Sequence, residues 1–378
     1  MATAVQKIPV GYKQTEIGVI PENWSVYPIN KLAAITTGSK NTQDKVSGGI
    51  YPLFVRSKVI ERINSYSYDE EAVLTAGDGV GTGKVFHYIN GKFDIHQRVY
   101  KISHFNQRLD GHFFYLYFSN YFYNRIMQMT AKSSVDSVRM EMIADMKIPL
   151  PTKPEQTAIA AALSDTDTLI EKMEIMIVKK KAIKQGAMQQ LLTGKKRLPG
   201  FGEKWEIKEL NIILKVRHGK NQKEVVCSDG KYPILATGGE IGRTDSYLYN
   251  KPSVLIGRKG TIDIPQFMES PFWTVDTLFY TEIQPENEPK FIYYKFQMID
   301  WYSYNEASGV PSLNAKAIER IQLPFPPKKE EQIAIAKGIS DMDNEIEKLE
   351  LQLSKYKNIK EGMMQQLLTG KIRIYGNR

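Results

Sequence analysis

The sequence predicts an α+β chain written twice over, as a globule, a long helix, a second globule and a second long helix. Three observations predict this. The phrase "GAMQQLLTGK" (Gly186–Lys195) returns as "GMMQQLLTGK" (Gly362–Lys371), 176 positions later. The match extends back without a gap to Glu155 and Glu331, with about 25 of 41 residues identical, far beyond compositional chance. Ahead of each repeated segment lies a stretch of roughly 130 to 150 residues rich in short β-like runs and glycine turns. An internal pseudo-twofold repeat is therefore the first expectation.

The repeated segments carry a helix-packing pattern. In the second copy Ile335, Ile339, Met342, Ile346, Leu349, Leu353 and Tyr356 alternate at spacings of four and three, the heptad signature of a helix seated against another helix. The first copy repeats it with Ile159, Leu163, Thr166, Ile170, Met173 and Ile177, and Lys180 stands where Tyr356 would match. A helix of about 40 residues is roughly 60 Å long. A globule separates the two segments, too much chain for a hairpin loop. The pattern therefore predicts two long helices lying antiparallel, with a globule at each end. Thr152 and Glu155 read as a capping box with Pro154 in the first turn. The second copy lacks Ser or Thr there. Gly194 and Gly370 read as helix stops. Gly186 and Gly362, inside the pattern, each cost about 1 kcal/mol of helix propensity, so they point to a close backbone approach or a kink.

The globules stay in register but have diverged. "MEMIADMKIPLP" (Met140–Pro151) parallels "AKAIERIQLPFP" (Ala315–Pro326). Trp24, Gly38, Tyr51, Pro52, Ile60 and Arg62 recur 181 positions on as Trp205, Gly219, Tyr232, Pro233, Ile241 and Arg243. Near-identical helices and dissimilar globules suggest a shared scaffold holding two differently tuned heads. In "EAVLTAGDGVGTGKVFHY" and "PSVLIGRKGTIDIPQF" an apolar strand runs into a Gly-rich basic turn. The aromatic segments "GHFFYLYFSNYFYNRI" and "PKFIYYKFQMIDWYSY" read as helices packed on a sheet. The small polar loops "KSSVDSVRM" and "ASGVPSLNA" follow, of the kind that carry specificity on a rigid scaffold.

Composition bounds the function. At 378 residues the chain has room for two or three domains. A net charge of +9 and a pI near 9.2 favour polyanionic partners, nucleic acid above all. No apolar run approaches the roughly 18 residues of a membrane span, and the N-terminus has no signal-peptide core. The single cysteine, Cys227, excludes an internal disulfide and fits a reducing, cytoplasmic setting.

Catalytic signals are poor. "GDGVGTGK" fails as a phosphate loop, with Asp78 in place of its first glycine and Val85 in place of Ser or Thr. Asp276 with Glu288 and Lys290 imitates a nuclease's carboxylates and lysine, but the first globule has no counterpart. His87, His96, His104, His112 and His218 form no zinc-like spacing. His96, in "FDIHQRV", reads as a structural or DNA-contacting residue. No catalytic residue, metal ligand or cofactor is assigned, and the chain reads as a binder.

The order of motifs resembles one family. "IPENWSVYPINKLAAITTG" and "GEKWEIKELNIILKVRHG" open the heads, "KIPLPTKPEQTAIA" and "QLPFPPKKEEQIAIA" close them, and "QQLLTGK" ends each helix. Together they resemble the specificity subunits of Type I restriction–modification systems over essentially the whole chain. The resemblance implies two α/β target recognition domains, each a twisted, mainly antiparallel sheet with helices, on an antiparallel coiled-coil spacer. The expected boundaries are 1–151 and 196–326 for the recognition domains, and 152–195 and 327–378 for the spacer. Ile159, Leu163, Ile170, Met173, Ile177, Ile335, Ile339, Met342, Ile346, Leu349 and Leu353 form its expected core.

The resemblance also implies partners: double-stranded DNA with a bipartite recognition sequence, two methyltransferase (modification) subunits, and restriction/translocase subunits in the full complex. Methyl transfer and cleavage would belong to those subunits, and no membrane is involved. Phosphates would position each head while a few side chains read base edges. The candidates are Lys40, Asn41, Arg56, Lys58, Lys84, Arg98 and Arg139 in the first head. In the second they are Lys220, Asn221, Arg243, Arg258, Lys259, Ser312 and Asn314. The rival expectations are a self-sufficient metal-dependent nuclease built on Asp276 and Glu288–Lys290, and a structural coiled-coil adaptor.

Overall fold

The computed structural model describes residues 8–129 and 137–374. The chain divides into two compact units. One joins Met1–Lys172 to Leu353–Arg378, and the other is Met173–Gln352. Each unit therefore holds one head, the start of the helix that follows it, and the end of the other long helix. The long helices are Lys153–Leu191 and Lys329–Leu367, 39 residues each.

In the first unit the head is a six-stranded sheet. Its strands run in the order Ala34–Thr37, Val99–Ser103, Tyr68–Ala76, Phe86–Ile95, Tyr51–Phe54 and Glu61–Ile63. All neighbours are antiparallel except Phe86–Ile95 with Tyr51–Phe54. In the second unit the same plan is split into two four-stranded sheets. One runs Leu214–His218, Leu278–Ile283, Ser253–Gly257, Gln266–Met268. The other runs Val226–Cys227, Gly239–Thr244, Tyr232–Ala236, Trp273–Thr274. The long Phe86–Ile95 strand has its counterpart in two pieces, Gln266–Met268 and Trp273–Thr274. Pro271 lies in the break, and a proline has no N–H to continue a ladder.

The opening and closing motifs of each head pair with one another. Ser25–Pro28 lies antiparallel to Lys147–Leu150, and Glu206–Glu209 to Gln322–Phe325. An aromatic helix packs on each sheet, Gly111–Met129 in the first head and Pro289–Phe296 in the second. Phe113, Phe114, Phe118 and Phe122 share a core with Trp24, Ile159, Leu163, Leu367 and Leu368. Phe291, Phe296 and Trp301 share one with Met188, Leu192, Ile335 and Ile339. Both helix ends are thus part of each head's core.

The start of each long helix is fixed by its Glu–Gln pair. Glu155 is 3 % exposed and does not serve the capping box that its spacing suggested. Its Oε1 accepts from Arg373 Nε at 2.5 Å, and its Oε2 from Arg373 Nη2 at 2.8 Å and Trp24 Nε1 at 3.0 Å. The second unit repeats this. Glu331 accepts from Arg197 Nε and Nη2, both at 2.6 Å, and from Trp205 Nε1 at 3.3 Å. The arginines also lie 5.6 and 5.7 Å from the indole centroids. The neighbouring glutamines satisfy the aromatic helices. Gln156 Oε1 accepts from Asp110 N, whose side chain caps the first, and Gln332 Oε1 accepts from Glu288 N, the cap of the second.

Each helix ends on a left-handed glycine, Gly194 at φ 73° and Gly370 at φ 72°. The turn directs Arg197 and Arg373 into these junctions. In the first unit it also ties the end of the second long helix to the opening of the first head: Tyr12 Oη donates to Gly370 O at 2.9 Å, and Arg373 Nη1 to Asn23 Oδ1 at 3.1 Å.

Within each unit the two helices run antiparallel. Asp167 pairs with Lys360 in the first, and Lys180 with Glu345 and Lys184 with Asp343 in the second. Lys180, the exception in the heptad pattern, is thus accommodated as an ion-pair partner. Ile159, Leu163, Met173, Ile177, Ile335, Ile339 and Ile346 are buried, while Ile170, Met342, Leu349 and Leu353 are half-buried. Of the two expectations for Gly186 and Gly362, the close backbone approach is not met. Each helix continues through its glycine, and a Cβ at either would meet nothing within 4 Å, so neither marks a close approach within the chain.

One buried charge distinguishes the second unit. Lys295, 5 % exposed, donates to Leu192 O at 2.9 Å and Pro324 O at 2.7 Å, tying the end of the first long helix to the head. Its counterpart in the first head is Tyr117.

Two predictions follow from these junctions. Replacing Arg197 or Arg373 by Leu leaves a buried carboxylate without its cation and should cost about 3 kcal/mol, measured by denaturant unfolding. A loss below about 1 kcal/mol would show that the junction is not structural. Burial pushes the Lys295 ammonium down to about 7. A neutral amine still has two N–H groups for its two carbonyl partners. The unfolded state then holds a proton that the folded state lacks between about pH 7 and 10.5, so stability rises with pH across that window. Below it the charged form is carried in both states and the gain is absent. Lys295→Met should flatten the rise in melting temperature between pH 7 and 10; an unchanged slope would contradict this.

Candidate nucleic-acid interface

In each head equivalent segments converge on one rim, held by the same backbone contacts. In the first, Gly77 N donates to Arg98 O at 2.8 Å, Val138 N to Gly77 O at 2.7 Å, and Asp78 bridges Ser137. In the second, Arg258 N donates to Thr277 O at 2.8 Å, Leu313 N to Arg258 O at 2.9 Å, and Lys259 bridges Ser312. Behind each rim a glycine lets two chains meet. A Cβ on Gly38 would lie 2.1 Å from Ile95 O, and one on Gly219 would lie 2.0 Å from Val275 O. This close approach explains why that glycine recurs.

The first rim gathers four of the expected residues. Asp78 accepts from Arg56 Nη1 at 2.7 Å and from Arg98 Nη1 at 2.5 Å. Burial opposes the charge on Asp78, but the two arginine hydrogen bonds more than offset it and hold its carboxyl below the usual range. Lys40 forms a backbone bridge to His96, and its Nζ lies 4.0 Å from the fully buried Asp94. Asn41 Oδ1 accepts from Gln97 Nε2 at 2.7 Å. His96 is buried, and its Nδ1 accepts from Arg98 N at 3.0 Å, which makes it a prop for the rim. Burial, then the nearby Arg56 charge, push its imidazole below the usual histidine range and keep that acceptor available.

Arg139 is exposed beside the same rim, one residue beyond Val138, at the N-cap of the short helix Met140–Ala144. Lys58 is exposed in the turn beyond Arg56. Lys84 lies at the far end of the glycine turn with its Nζ 5.4 Å from the Tyr123 ring centroid, against the aromatic helix. Part of the expected polar loop "KSSVDSVRM", residues 132–136, falls outside the described residues.

The second rim opens on a cavity of about 970 Å³ lined by His218, Arg258, Lys259, Asp276, Ser312, Asn314 and Lys316, among others. Arg258 Nη1 donates to Asp276 O at 3.2 Å, and Ser312 N to Asn305 Oδ1 at 2.9 Å. Lys220 is anchored through its backbone, with N donating to Thr274 O and O accepting from Trp273 Nε1. Asn221 Oδ1 accepts from Lys223 N.

Two candidates have structural employment. Asn314 caps the helix Ala315–Glu319, accepting from Lys316 N and Ala317 N. Arg243 donates to Gly230 O, Lys231 O and Glu240, stapling a turn to its strand. Arg62 makes the equivalent bond to Ile50 O in the first head, so the recurrence of this arginine had marked it as scaffold. Glu288 and Lys290, from the nuclease-like trio, are engaged as a helix cap and as a partner of Glu269. Among the described residues no group of three or more His, Cys, Asp or Glu side chains could hold a metal ion.

The site residue that sequence reasoning missed is Asp78. In the sequence it stands out only where a phosphate loop would have its first glycine. Its contact with two arginines depends on strand pairing, which no local motif reveals. Nor is any helix among the described residues long and apolar enough to cross a membrane.

Comparison with known proteins accords with this two-headed plan. The family model of the type I restriction modification DNA specificity domain matches twice, at residues 21–180 and 202–354. The type I restriction enzyme MjaVIII specificity subunit of Methanocaldococcus jannaschii is 25% identical, with 94% of each chain covered. The type I restriction enzyme EcoDI specificity subunit of Escherichia coli is 30% identical over 42% of this chain and 33% of its own. The crystal structure of a type I restriction–modification system S subunit from M. genitalium superposes with a TM-score of 0.66 at 19% identity. The superposition covers 91% of this chain and 96% of that one, and so shows a shared fold. These relatives are subunits that supply specificity, a role distinct from catalysis. With both heads matched in tandem, the chain belongs to the family of type I restriction–modification specificity subunits.

Proposed function

We propose that this chain reads a bipartite DNA sequence, one half-site per head, for a complex in which methyltransferase subunits, and through them restriction subunits, dock on the helices. The observation that carries the reading is the pair of rims. Equivalent segments are held by the same backbone bonds, yet their matching positions present different side chains, Arg56, Asp78 and Arg98 against Thr237, Lys259 and Thr277. Equivalent platforms with unlike chemistry suit two unlike half-sites.

In this reading residues 1–151 and 196–326 are the recognition domains, and 152–195 and 327–378 the spacer. Lys40, Lys58, Arg139, Lys220 and Lys316 are placed to meet phosphates, which carry affinity but no sequence information. Residues at the turn tips meet base edges. A scaffold repeated within one chain offers its docking surface twice and suits two copies of one methyltransferase partner. The length of the helices would set the interval between half-sites.

Exchanging the residues before Pro149 for the head of another family member tests this. One half of the methylated motif should change, while the other half and the interval survive. A simultaneous change in both halves, read by methylome sequencing, would refute independent reading.

A further inference from the structure

The two rims can be compared position by position, because their backbone contacts superimpose in register. His96 N donates to Phe54 O, and Val275 N to Leu235 O, which equates Arg56 with Thr237. A Cβ on Gly79 would lie 3.5 Å from Arg56 Nη1, and one on Gly260 would lie 3.9 Å from Thr237 Oγ1, the same neighbour relation. The bridges to Ser137 and Ser312 equate Asp78 with Lys259, and the bonds from Gly77 N and Arg258 N equate Arg98 with Thr277. Three equivalent positions therefore carry Arg, Asp and Arg in the first head, and Thr, Lys and Thr in the second.

The first set is built as a fork. The Arg56 and Arg98 side chains are 42% and 59% exposed, and each gives one Nη1 to the same carboxylate, itself 20% exposed. A guanidinium has five N–H donors in a rigid plane, so engaging one nitrogen leaves an edge for a ligand and fixes its direction. His96 fixes the Arg98 main chain behind the fork by accepting from its backbone N–H.

A phosphate contact does not need this arrangement. A phosphate is met by charge and carries no sequence pattern, so a carboxylate shared by two arginines would only weaken its attraction. A base edge does need it. Guanine offers O6 and N7 in the major groove at the spacing of two guanidinium N–H groups. An oriented, partly neutralised arginine discriminates by geometry where a free one attracts by charge.

Resting on the reading that the heads bind DNA, we propose that Arg56 and Arg98 read guanine in the first head's half-site, with Asp78 as the positioning residue that aims them. The Thr237, Lys259 and Thr277 set, with two short hydroxyls and one ammonium, supplies different readout chemistry at the same three places. These positions are then where the two half-sites acquire their difference.

The test uses the full chain assembled with its methyltransferase subunit. Methylation rates are measured on duplexes carrying the wild-type motif and on each single-base replacement of it. Arg56→Lys and Arg98→Lys keep the charge and lose the fork, while Asp78→Asn keeps the shape and loses the clamp. Each should lower discrimination against a replaced guanine in one half-site by about tenfold. Discrimination in the other half-site and the melting temperature should stay as in the wild type. A first half-site without guanine would overturn the inference. So would a uniform loss of affinity across all duplexes, the sign of a phosphate contact, or unchanged discrimination in all three variants. Should the wild-type complex prefer no split sequence at all, the DNA reading itself fails, and that result differs from every one of these.

Discussion

The rest of the structure depends on a buried carboxylate bound by one indole and one guanidinium. Glu155 with Trp24 and Arg373, and Glu331 with Trp205 and Arg197, each join the opening of a head to the ends of two long helices. The tryptophan comes from the opening of a head, the glutamate from the helix that leaves it, and the arginine from the end of the other helix. An ion removed from water persists only where its partners are fixed, so the junction admits one arrangement of the three. Because the arginine belongs to the far end of the other helix, each head is locked to both helices. That is why contacts group the C-terminal helix segment with the N-terminal head.

Constancy at the junction leaves the heads free to change elsewhere. The pairing of Ser25–Pro28 with Lys147–Leu150 closes the first head on itself, and Glu206–Glu209 with Gln322–Phe325 closes the second. Behind these closures the sheets differ, one continuous and one broken near Pro271. The rim turns differ most. Backbone hydrogen bonds hold the rim in place and do not depend on side chains, so Arg56, Asp78 and Arg98 could give way to Thr237, Lys259 and Thr277 without loss of the platform.

Much of this plan was legible in the sequence, and the failures have physical causes. The long helices were visible because their buried positions repeat at helical spacing in two nearly identical copies. Glu155 was misjudged because its spacing from Thr152 satisfies a local capping rule. The tertiary demand of Trp24 and Arg373 overrode that rule. Asn314 preceded a helix and could have been recognised as its cap from that position alone. Arg243, a candidate for DNA contact, recurs as Arg62, and both hold a turn to its strand through backbone carbonyls. The Arg56–Asp78–Arg98 group was invisible, since its members lie on three turns brought together only by the order of strands in the sheet.

A junction repeated in both units and a rim that differs between them would let one scaffold present two unlike readers. The methylome of cells carrying this chain with its partner subunits tests that claim most directly. It predicts a split motif of two unequal half-sites separated by a constant number of unspecified base pairs. A contiguous motif, or one whose two halves are the same sequence, would contradict it.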